Sequence, residues 1–179
     1  MPRPLLIGLS PNTTSADVRH ALSALFHPST WLQGDTLRKF EEELSRYFDG
    51  ADVFLFDSGR TSIVTVLNAL DLQSGDEVLC QAFTCIAVPQ AVRKANGTPI
   101  FVDIGSDLNM DVSDLEKKIT SKSRAIIAQH TFGAAADLDV ISAIAKKHRL
   151  VLIEDCAHSL GGTWKGKKLG TIGDAAILS

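Results

Sequence analysis

The chain has 179 residues, of which 45% are hydrophobic and 22% are charged, and its formal net charge is -3. This composition predicts a buried core and argues against disorder, and the small charge gives no electrostatic reason to expect nucleic acid or an anionic membrane surface as a partner. No apolar run approaches the ~20 residues that span a bilayer, and the first twelve residues make a poor signal peptide. Three cysteines, Cys80, Cys85 and Cys156, are too few for a disulfide framework, so we expect reduced thiols and a cytoplasmic protein.

Helix-like and strand-like segments alternate along the chain. Helical spacing of apolar residues and turn residues between short apolar runs define the segments. Ser15 is the expected cap of the first helix, and Asp35 that of the second. The expected helices are 15–26, 35–48, 61–70, 87–95, 111–119 and 137–149, the expected strands are 53–57, 77–82, 99–104, 124–130, 150–155 and 175–179, and a hairpin is expected in 163–170 around Lys165 and Gly166.

Because the strands are almost wholly apolar and alternate with helices, we expect an α/β fold: a mostly parallel sheet with helices on both faces. Ligands of such sheets bind beyond the carboxyl ends of the strands. Four stretches follow predicted strands and carry polar or glycine residues: DSGRTS, QAFTC, QHTFG and EDCAHS.

DSGRTS joins a strand to a helix through Gly59, which lets the backbone approach a ligand closely. The amides that follow are at a helix N-terminus, which binds phosphate through free N–H groups and the helix dipole. Thr61 or Ser62 offers a hydroxyl and Arg60 a charge. An ordinary capped turn is the alternative, and the stretch is not the P-loop pattern.

EDCAHS places Asp155 at a strand end and His158 three residues later. The spacing fits no zinc pattern, and no serine sits in a nucleophile elbow, so metal and hydrolase chemistry are disfavoured. Two interpretations stay open: a structural carboxylate, or a carboxylate that faces a heteroaromatic cofactor nitrogen with His158 at another edge of the ring. In the neighbouring stretches, His130 fits a structural role better than a catalytic one, and Phe83 fits either the core or the face of a planar ligand.

Taken together, these stretches resemble the sugar aminotransferases of the DegT/StrS type, pyridoxal-phosphate (PLP) enzymes of the aspartate-aminotransferase fold. The resemblance runs in order over nearly the whole chain. The matching stretches are WLQGDTLRKFEEELSRYF, with the family's W-x-x-G and a helix containing FE; DSGRTSI, with its phosphate turn N-S-G-T-x-A-L; GDEVLCQAFTCIAVPQAV; PIFVDI; HTFGAAADLD, with H-x-x-G-x-x-A-D-M-D; and EDCAHSLGGTWKGKKLGTIGDAAILS.

The resemblance implies PLP as the cofactor and a role for each matched residue. Asp155 would pair with the protonated pyridine nitrogen, and His158 would lie by the ring hydroxyl. Two departures are visible: Arg60 replaces a threonine, and Cys85 replaces an aromatic residue on the ring face. The implied cofactor-binding residues are Gly59, Arg60, Thr61, Cys85, Asp155, His158 and Ser179, and no metal is expected.

The chain stops inside the apolar run of GDAAILS, which predicts the N-terminal part of a longer protein. The family's Schiff-base lysine lies a few residues beyond the serine matched by Ser179, and Lys165, Lys167 and Lys168 do not match it. Residues 1–179 are therefore expected to hold the N-terminal segment plus most of the PLP-binding large domain, without the C-terminal small domain and without activity alone.

The resemblance implies that the complete protein transfers an amino group from an amino acid, glutamate, to a nucleotide-linked keto sugar. The product would serve antibiotic, lipopolysaccharide or other cell-surface sugar biosynthesis, and the complete enzyme would be a homodimer. Three alternatives remain: a PLP- or PMP-dependent sugar dehydratase of the same family, a non-catalytic remnant or regulator with the same fold, and an α/β binding module unrelated to PLP.

Overall fold

The computed structural model describes residues 13–28, 31 and 35–179. These residues fall into two compact units, one ending at Glu43 and the other running from Leu44 to Ser179. The stretch assessed as a signal peptide and residues 32–34 of the W-x-x-G motif lie outside the described residues.

The first unit contains helix α1 (Ser15–Leu25), and helix α2 (Thr36–Tyr47) begins within it. The cap of α1 is Thr14 and not Ser15 as expected, because Thr14 and Asp17 form a reciprocal capping box that satisfies two backbone N–H groups at once. Asp35 immediately precedes α2, and an ion pair between Arg38 and Glu42 spans one turn of that helix at 2.5 Å.

The second unit is built on a parallel sheet of five strands, which confirms the predicted fold class. Each expected helix in this unit forms within a few residues of its predicted bounds. The remaining helices are α3 (Gly59–Asn68), α4 (Ala87–Lys94), α5 (Val112–Lys118) and α6 (Leu138–His148), and the strands are β1 (Glu77–Gln81), β2 (Thr98–Val102), β3 (Ser123–Gln129), β4 (Val151–Asp155), β5 (Thr163–Trp164), β6 (Lys167–Lys168) and β7 (Ala175–Ile177).

Helices cover both faces of the sheet, whose strand order is β2-β1-β3-β4-β7. Successive strand residues point to opposite faces, and the core is accordingly divided in two. Ile63 and Leu67 of α3 pack with α4 against one face, and Leu115 of α5 packs with Ile141 of α6 against the other. Fully apolar strands were the correct sequence signal, since both faces are buried.

The predicted strand 53–57 is wrong. Residues 51–56 form neither a helix nor a strand, and the side chains of Phe54 and Phe56 are 74% and 43% exposed. The apolar run met the criterion for a buried strand, but a strand also requires a hydrogen-bonded neighbour, and the run pairs with none of the described strands. DSGRTS therefore follows an irregular segment, and not a strand as expected.

The predicted hairpin is confirmed by the antiparallel pair of β5 and β6. Its two turn residues, Lys165 and Gly166, have φ values of 47° and 82°, as a two-residue turn of type I′ requires. Among the helices of the described residues, none is long and apolar enough to cross a membrane.

Candidate functional site

The carboxyl ends of β1 and β3 adjoin at the centre of the sheet, where the chain leaves toward β2 on one side and toward β4 on the other. Crevices at such reversal points are where open α/β sheets bind ligands. Hydrogen bonds fix the loops that leave these ends: Thr84 donates to Gln129 at 2.7 Å, and Gln81 donates to Thr131 at 2.9 Å. The loops after β1 and β3 therefore form one rigid edge.

Asp155 ends β4 and is 6% exposed. Its side chain accepts one hydrogen bond among the described residues, from the N–H of Ala157 at 3.2 Å. Burial raises the pKa of this carboxyl group, against the smaller lowering effects of the Ala157 N–H, His158 and His130. A buried carboxylate with a single donor is stabilised by a cationic partner, and the protonated nitrogen of a pyridine ring is one.

His158 is exposed three residues after Asp155 and stacks on Phe132, with ring centroids 5.6 Å apart and an interplanar angle of 12°. Phe132 also meets Phe83 edge to face at 6.2 Å. Its backbone is left-handed, with φ 51° and ψ 28°, which costs a residue other than glycine on the order of 1–2 kcal/mol. Strain of this kind clusters at functional sites, and here it occurs at the residue that stacks on His158.

Replacing Phe132 with Gly should separate this positioning role from folding. Glycine adopts the left-handed conformation without strain, so we expect a free energy of unfolding within about 1 kcal/mol of the wild type. The loss of the stacked ring should release the imidazole of His158 into several rotamers. Urea unfolding and the line widths of the His158 ring signals in NMR spectra measure the two effects, and an unchanged His158 signal would contradict the role given to Phe132.

The N-terminus of α3 forms a second part of the site. Ser58 caps the helix by accepting from the N–H of Thr61 at 3.2 Å, and the amides of Gly59 and Arg60 precede the first intrahelical bond, from Ser62 to Ser58. A Cβ atom added to Gly59 would lie 2.9 Å from Cβ of Ser179 and 3.0 Å from its hydroxyl oxygen. The glycine therefore allows the two chain segments to approach each other closely, and together they form a cradle at the helix N-terminus.

The two parts are joined through neighbouring strands. Asp155 of β4 is aligned with Ile177 of β7, and Ser179 lies two residues beyond Ile177. Adjacent strands are about 5 Å apart, so Asp155 and Ser179 lie at the same edge of the sheet.

The structure also places three other residues that the sequence singled out: Arg60, Cys85 and His130. Arg60 is exposed on the first turn of α3, and the sequence left open whether its side chain adds charge to the ligand site or points away from it. Cys85 is exposed, and its sulfur accepts a hydrogen bond from Ala87 at 3.5 Å. His130 is fully buried, and its ring donates to Glu154 and accepts from the N–H of Ala136, which agrees with the structural role expected of it.

His130, Glu154 and Cys156 bring one potential metal-binding atom each within 4.8 Å of one another. Glu154 already accepts four hydrogen bonds, and burial raises the pKa of the Cys156 thiol to about 12. Glu154 and His130 of this cluster are therefore already engaged in hydrogen bonds within the protein.

Two residues of this edge, Glu154 and Phe132, were not among the candidate site residues that the sequence indicated. Glu154 was given no role beside Asp155, although a charged residue inside an apolar strand indicates a buried carboxylate that needs hydrogen-bond partners. Phe132 left no such signal, because its left-handed backbone and its contact with His158 exist only in the fold. The observations that fit PLP are the under-satisfied buried carboxylate of Asp155 and the cradle that a Cβ at Gly59 would fill.

The described chain is an α/β protein with a parallel sheet, and one edge of this sheet carries a buried carboxylate and a helix N-terminus opened by a glycine. Residues 12–179 match the model of the DegT/DnrJ/EryC1/StrS aminotransferase family. The chain belongs to this family, which confirms the resemblance seen in the sequence.

Two curated relatives show how the family varies. The chain is 37% identical over 154 residues to a GDP-perosamine synthase from Escherichia coli O157:H7, covering 84% of the chain and 42% of that protein. It is 35% identical over 164 residues to a pleiotropic regulatory protein from Geobacillus stearothermophilus, covering 91% of the chain and 44% of that protein. The chain thus spans less than half the length of these relatives.

Solved structures agree with the fold. An aminotransferase from Psychrobacter cryohalolentis superposes with a TM-score of 0.86 at 31% identity, covering 94% of the chain and 43% of that protein. A Streptococcus pneumoniae protein solved in its PLP form superposes with a TM-score of 0.85 at 29% identity, covering 94% of the chain and 47% of that protein.

Proposed function

We infer that this chain is the N-terminal part of a PLP-dependent aminotransferase that acts on a nucleotide-linked keto sugar. The single observation that carries this inference is the pairing of Asp155, buried and short of donors, with the Gly59–Ser179 cradle on the neighbouring strand end. One feature suits a pyridinium nitrogen and the other a phosphate, and PLP has both groups. Family membership and the PLP form of a structural neighbour support the same cofactor.

The residues of the chain have separable tasks in this proposal. Asp155 holds the proton on the pyridine nitrogen, since a nearby anion favours the charged form. His158, whose imidazole stacks on the ring of Phe132, would orient the hydroxyl group of the cofactor ring. The phosphate would be bound by the amides of Gly59 and Arg60, the Thr61 side chain and the Ser179 hydroxyl, and Cys85 would take the position beside the ring face that the family resemblance assigns to it. When bound, the cofactor supplies an electron sink for the negative charge that develops at the substrate carbon.

The remaining parts of the enzyme belong to the proposal as well. The Schiff-base lysine and the small domain would follow Ser179, in agreement with a chain that spans less than half of its relatives. We propose glutamate as the amino donor, a homodimer as the assembly and the cytoplasm as the location. Relatives named as synthases or transaminases of GDP- and dTDP-linked sugars support the proposed acceptor class.

The test uses the extended protein, obtained by reading the gene on past Ser179. It is incubated with PLP, glutamate and a panel of GDP- and dTDP-linked keto sugars, and the products are followed by mass spectrometry together with 2-oxoglutarate formation. We expect one panel member to exchange its ketone oxygen for an amino group, with one 2-oxoglutarate formed per product. Bound PLP without amination of any keto sugar would contradict the proposed substrate class.

A regulatory role is the second candidate, and the relative from Geobacillus stearothermophilus favours it because it is named a regulatory protein. The residue at the anchor position beyond Ser179 separates the candidates: lysine fits the aminotransferase, histidine the sugar dehydratase, and neither residue a non-catalytic protein. A regulator should also fail to turn over glutamate in the assay above.

A further inference from the structure

Glu154 is a charged residue inside an apolar strand, and its side chain is 0% exposed. It precedes Asp155 in β4, so the two side chains point to opposite faces of the sheet. Asp155 faces the proposed cofactor with one donor, whereas Glu154 faces the protein interior. A buried charge is costly unless it is fully hydrogen-bonded, so its partners show what it organises.

The carboxylate of Glu154 accepts four hydrogen bonds. One oxygen accepts from the N–H groups of Ile172 and Gly173, both at 2.7 Å, and the other accepts from the N–H of Gly170 at 2.8 Å and from the ring of His130 at 3.1 Å. Burial acts to raise the pKa of Glu154, but these donors outweigh it and hold the pKa below its ordinary value. Glu154 is therefore an anion that satisfies three backbone amides of one turn.

The turn at residues 170–173 leads directly into β7. Asp174 donates its N–H to the carbonyl of Leu152 at 2.8 Å, and Ala175 then pairs with Ile153. Close packing holds the turn as well, since a Cβ atom on Gly173 would lie 2.7 Å from the Leu152 carbonyl oxygen. The path of β7, and with it the place of Ser179, depends on how this turn is held.

His130 links the same carboxylate to the other part of the site. Its Nδ1 accepts from the N–H of Ala136 at 3.1 Å, so the ring proton is on Nε2 and is donated to Glu154. Its backbone N–H donates to the carbonyl of Asp155 at 3.1 Å. The loop that begins at His130 carries Phe132, which stacks on His158.

We propose that Glu154 is a positioning residue of the cofactor site: its buried carboxylate fixes the turn 170–173 and the ring of His130, and thereby places Ser179 and the loop that aims Phe132 at His158. Glu154 does not touch the cofactor and acts through these backbone contacts. The identity of the ligand rests on the proposed function. The hydrogen bonds of Glu154 are observed in the structure and do not depend on that function.

The test compares two probes in the extended protein: PLP, and pyridoxal, which lacks the phosphate. Glu154→Gln keeps the size of the side chain but replaces one acceptor oxygen with an N–H₂ donor, which faces backbone N–H groups and disrupts the turn. We expect the Kd for PLP to rise at least tenfold and the Kd for pyridoxal to rise much less, because the turn leads to the phosphate side. Amide exchange at Gly170, Ile172 and Gly173 should accelerate in the same variant.

The control is Glu77→Gln, the same change at the opposite end of the sheet, where Glu77 accepts from the hydroxyls of Thr120 and Ser123. This variant should lose stability without changing the ratio of the two Kd values. If Glu154→Gln does not fold, Glu154→Asp keeps the charge on a shorter side chain. The ratio of its Kd for PLP to its Kd for pyridoxal should lie between the ratio of the wild type and that of a cradle variant such as Ser179→Ala.

Each outcome has one meaning. A folded Glu154 variant with an unchanged PLP-to-pyridoxal ratio overturns the positioning role. A ratio that changes equally in Glu77→Gln shows a general stability effect and also overturns it. A wild-type protein that binds neither probe contradicts the proposed function instead, and the amide exchange of the turn then tests Glu154 without any ligand.

Discussion

Replacing Asp155 with Asn is expected to lower the turnover of the extended protein by about 100-fold and, at the same time, to raise the melting temperature of its cofactor-free form. A nearby carboxylate raises the pKa of a cationic group by roughly 1–3 units, and each unit corresponds to about 1.4 kcal/mol. Without the negative charge of Asp155, a smaller fraction of the cofactor's pyridine nitrogen would be protonated. Asn retains the acceptor for the N–H of Ala157, which keeps the local geometry.

The gain in stability follows from the direction of the Asp155 pKa shift. Burial raises this pKa in the folded chain, so the unfolded chain loses its proton first as the pH rises. The stability associated with the protonated carboxyl group is therefore present below the unfolded pKa and is lost as the pH rises through the folded pKa. Asn carries no charge at any pH, so it recovers this stability at neutral pH and should raise the melting temperature.

Thermal melts of cofactor-free protein across the acidic pH range measure this effect, alongside kcat at neutral pH. The difference in melting temperature between the variant and the wild type should grow as the pH rises. Asp174→Asn is the matched control, because Asp174 accepts from the N–H of Leu152 at the opposite end of β4. A variant that is less stable than the wild type at neutral pH, or that retains near-normal turnover, would contradict the role given to Asp155.

Replacing Gly59 with Ala is expected to weaken PLP binding by about 10- to 100-fold, a loss of roughly 1.4–2.8 kcal/mol, with little loss of folding stability. The added methyl group would lie 2.9 Å from Cβ of Ser179, which is closer than such atoms come, so the Ser179 side of the cradle must shift. Gly59 is the first residue of α3 and does not have a positive φ, so alanine is compatible with the backbone of the helix. Fluorescence titration with PLP measures the Kd.

A double-mutant cycle separates crowding from loss of the hydroxyl. Ser179→Gly alone should weaken PLP binding because it removes the hydroxyl, whereas adding it to Gly59→Ala should recover part of the affinity by restoring space. Effects that simply add would show that the two residues do not share a cradle. Wild-type affinity in Gly59→Ala would contradict the phosphate site at this helix.

The sequence was sufficient to predict most of the sheet and of the helices in the second unit. Periodic apolar residues and turn residues report burial on both faces, and these local signals agree with the final packing. The run at 53–57 shows the limit of this approach, because Phe54 and Phe56 have the composition of a strand but lie exposed without a hydrogen-bonded neighbour. Composition cannot specify a partner.

In the candidate site, too, some residues could be predicted from local sequence features and others could not. Asp155 and Gly59 could be selected from the sequence because a polar residue at a strand end and a glycine at a helix start are local features. The contact of Gly59 with Ser179, the stacking of Phe132 on His158 and the four donors around Glu154 join residues far apart in the chain. Such contacts depend on strand order and loop conformation, which periodicity does not encode.

The most direct test of the central claim is the absorbance of the extended protein after purification with PLP and exhaustive dialysis. If the strand ends form a PLP site, the protein should stay yellow, with one cofactor per chain. Asp155→Asn and Gly59→Ala should then alter the spectrum and the retention of the cofactor, respectively. A folded wild-type protein that is colourless and retains no PLP would contradict the account.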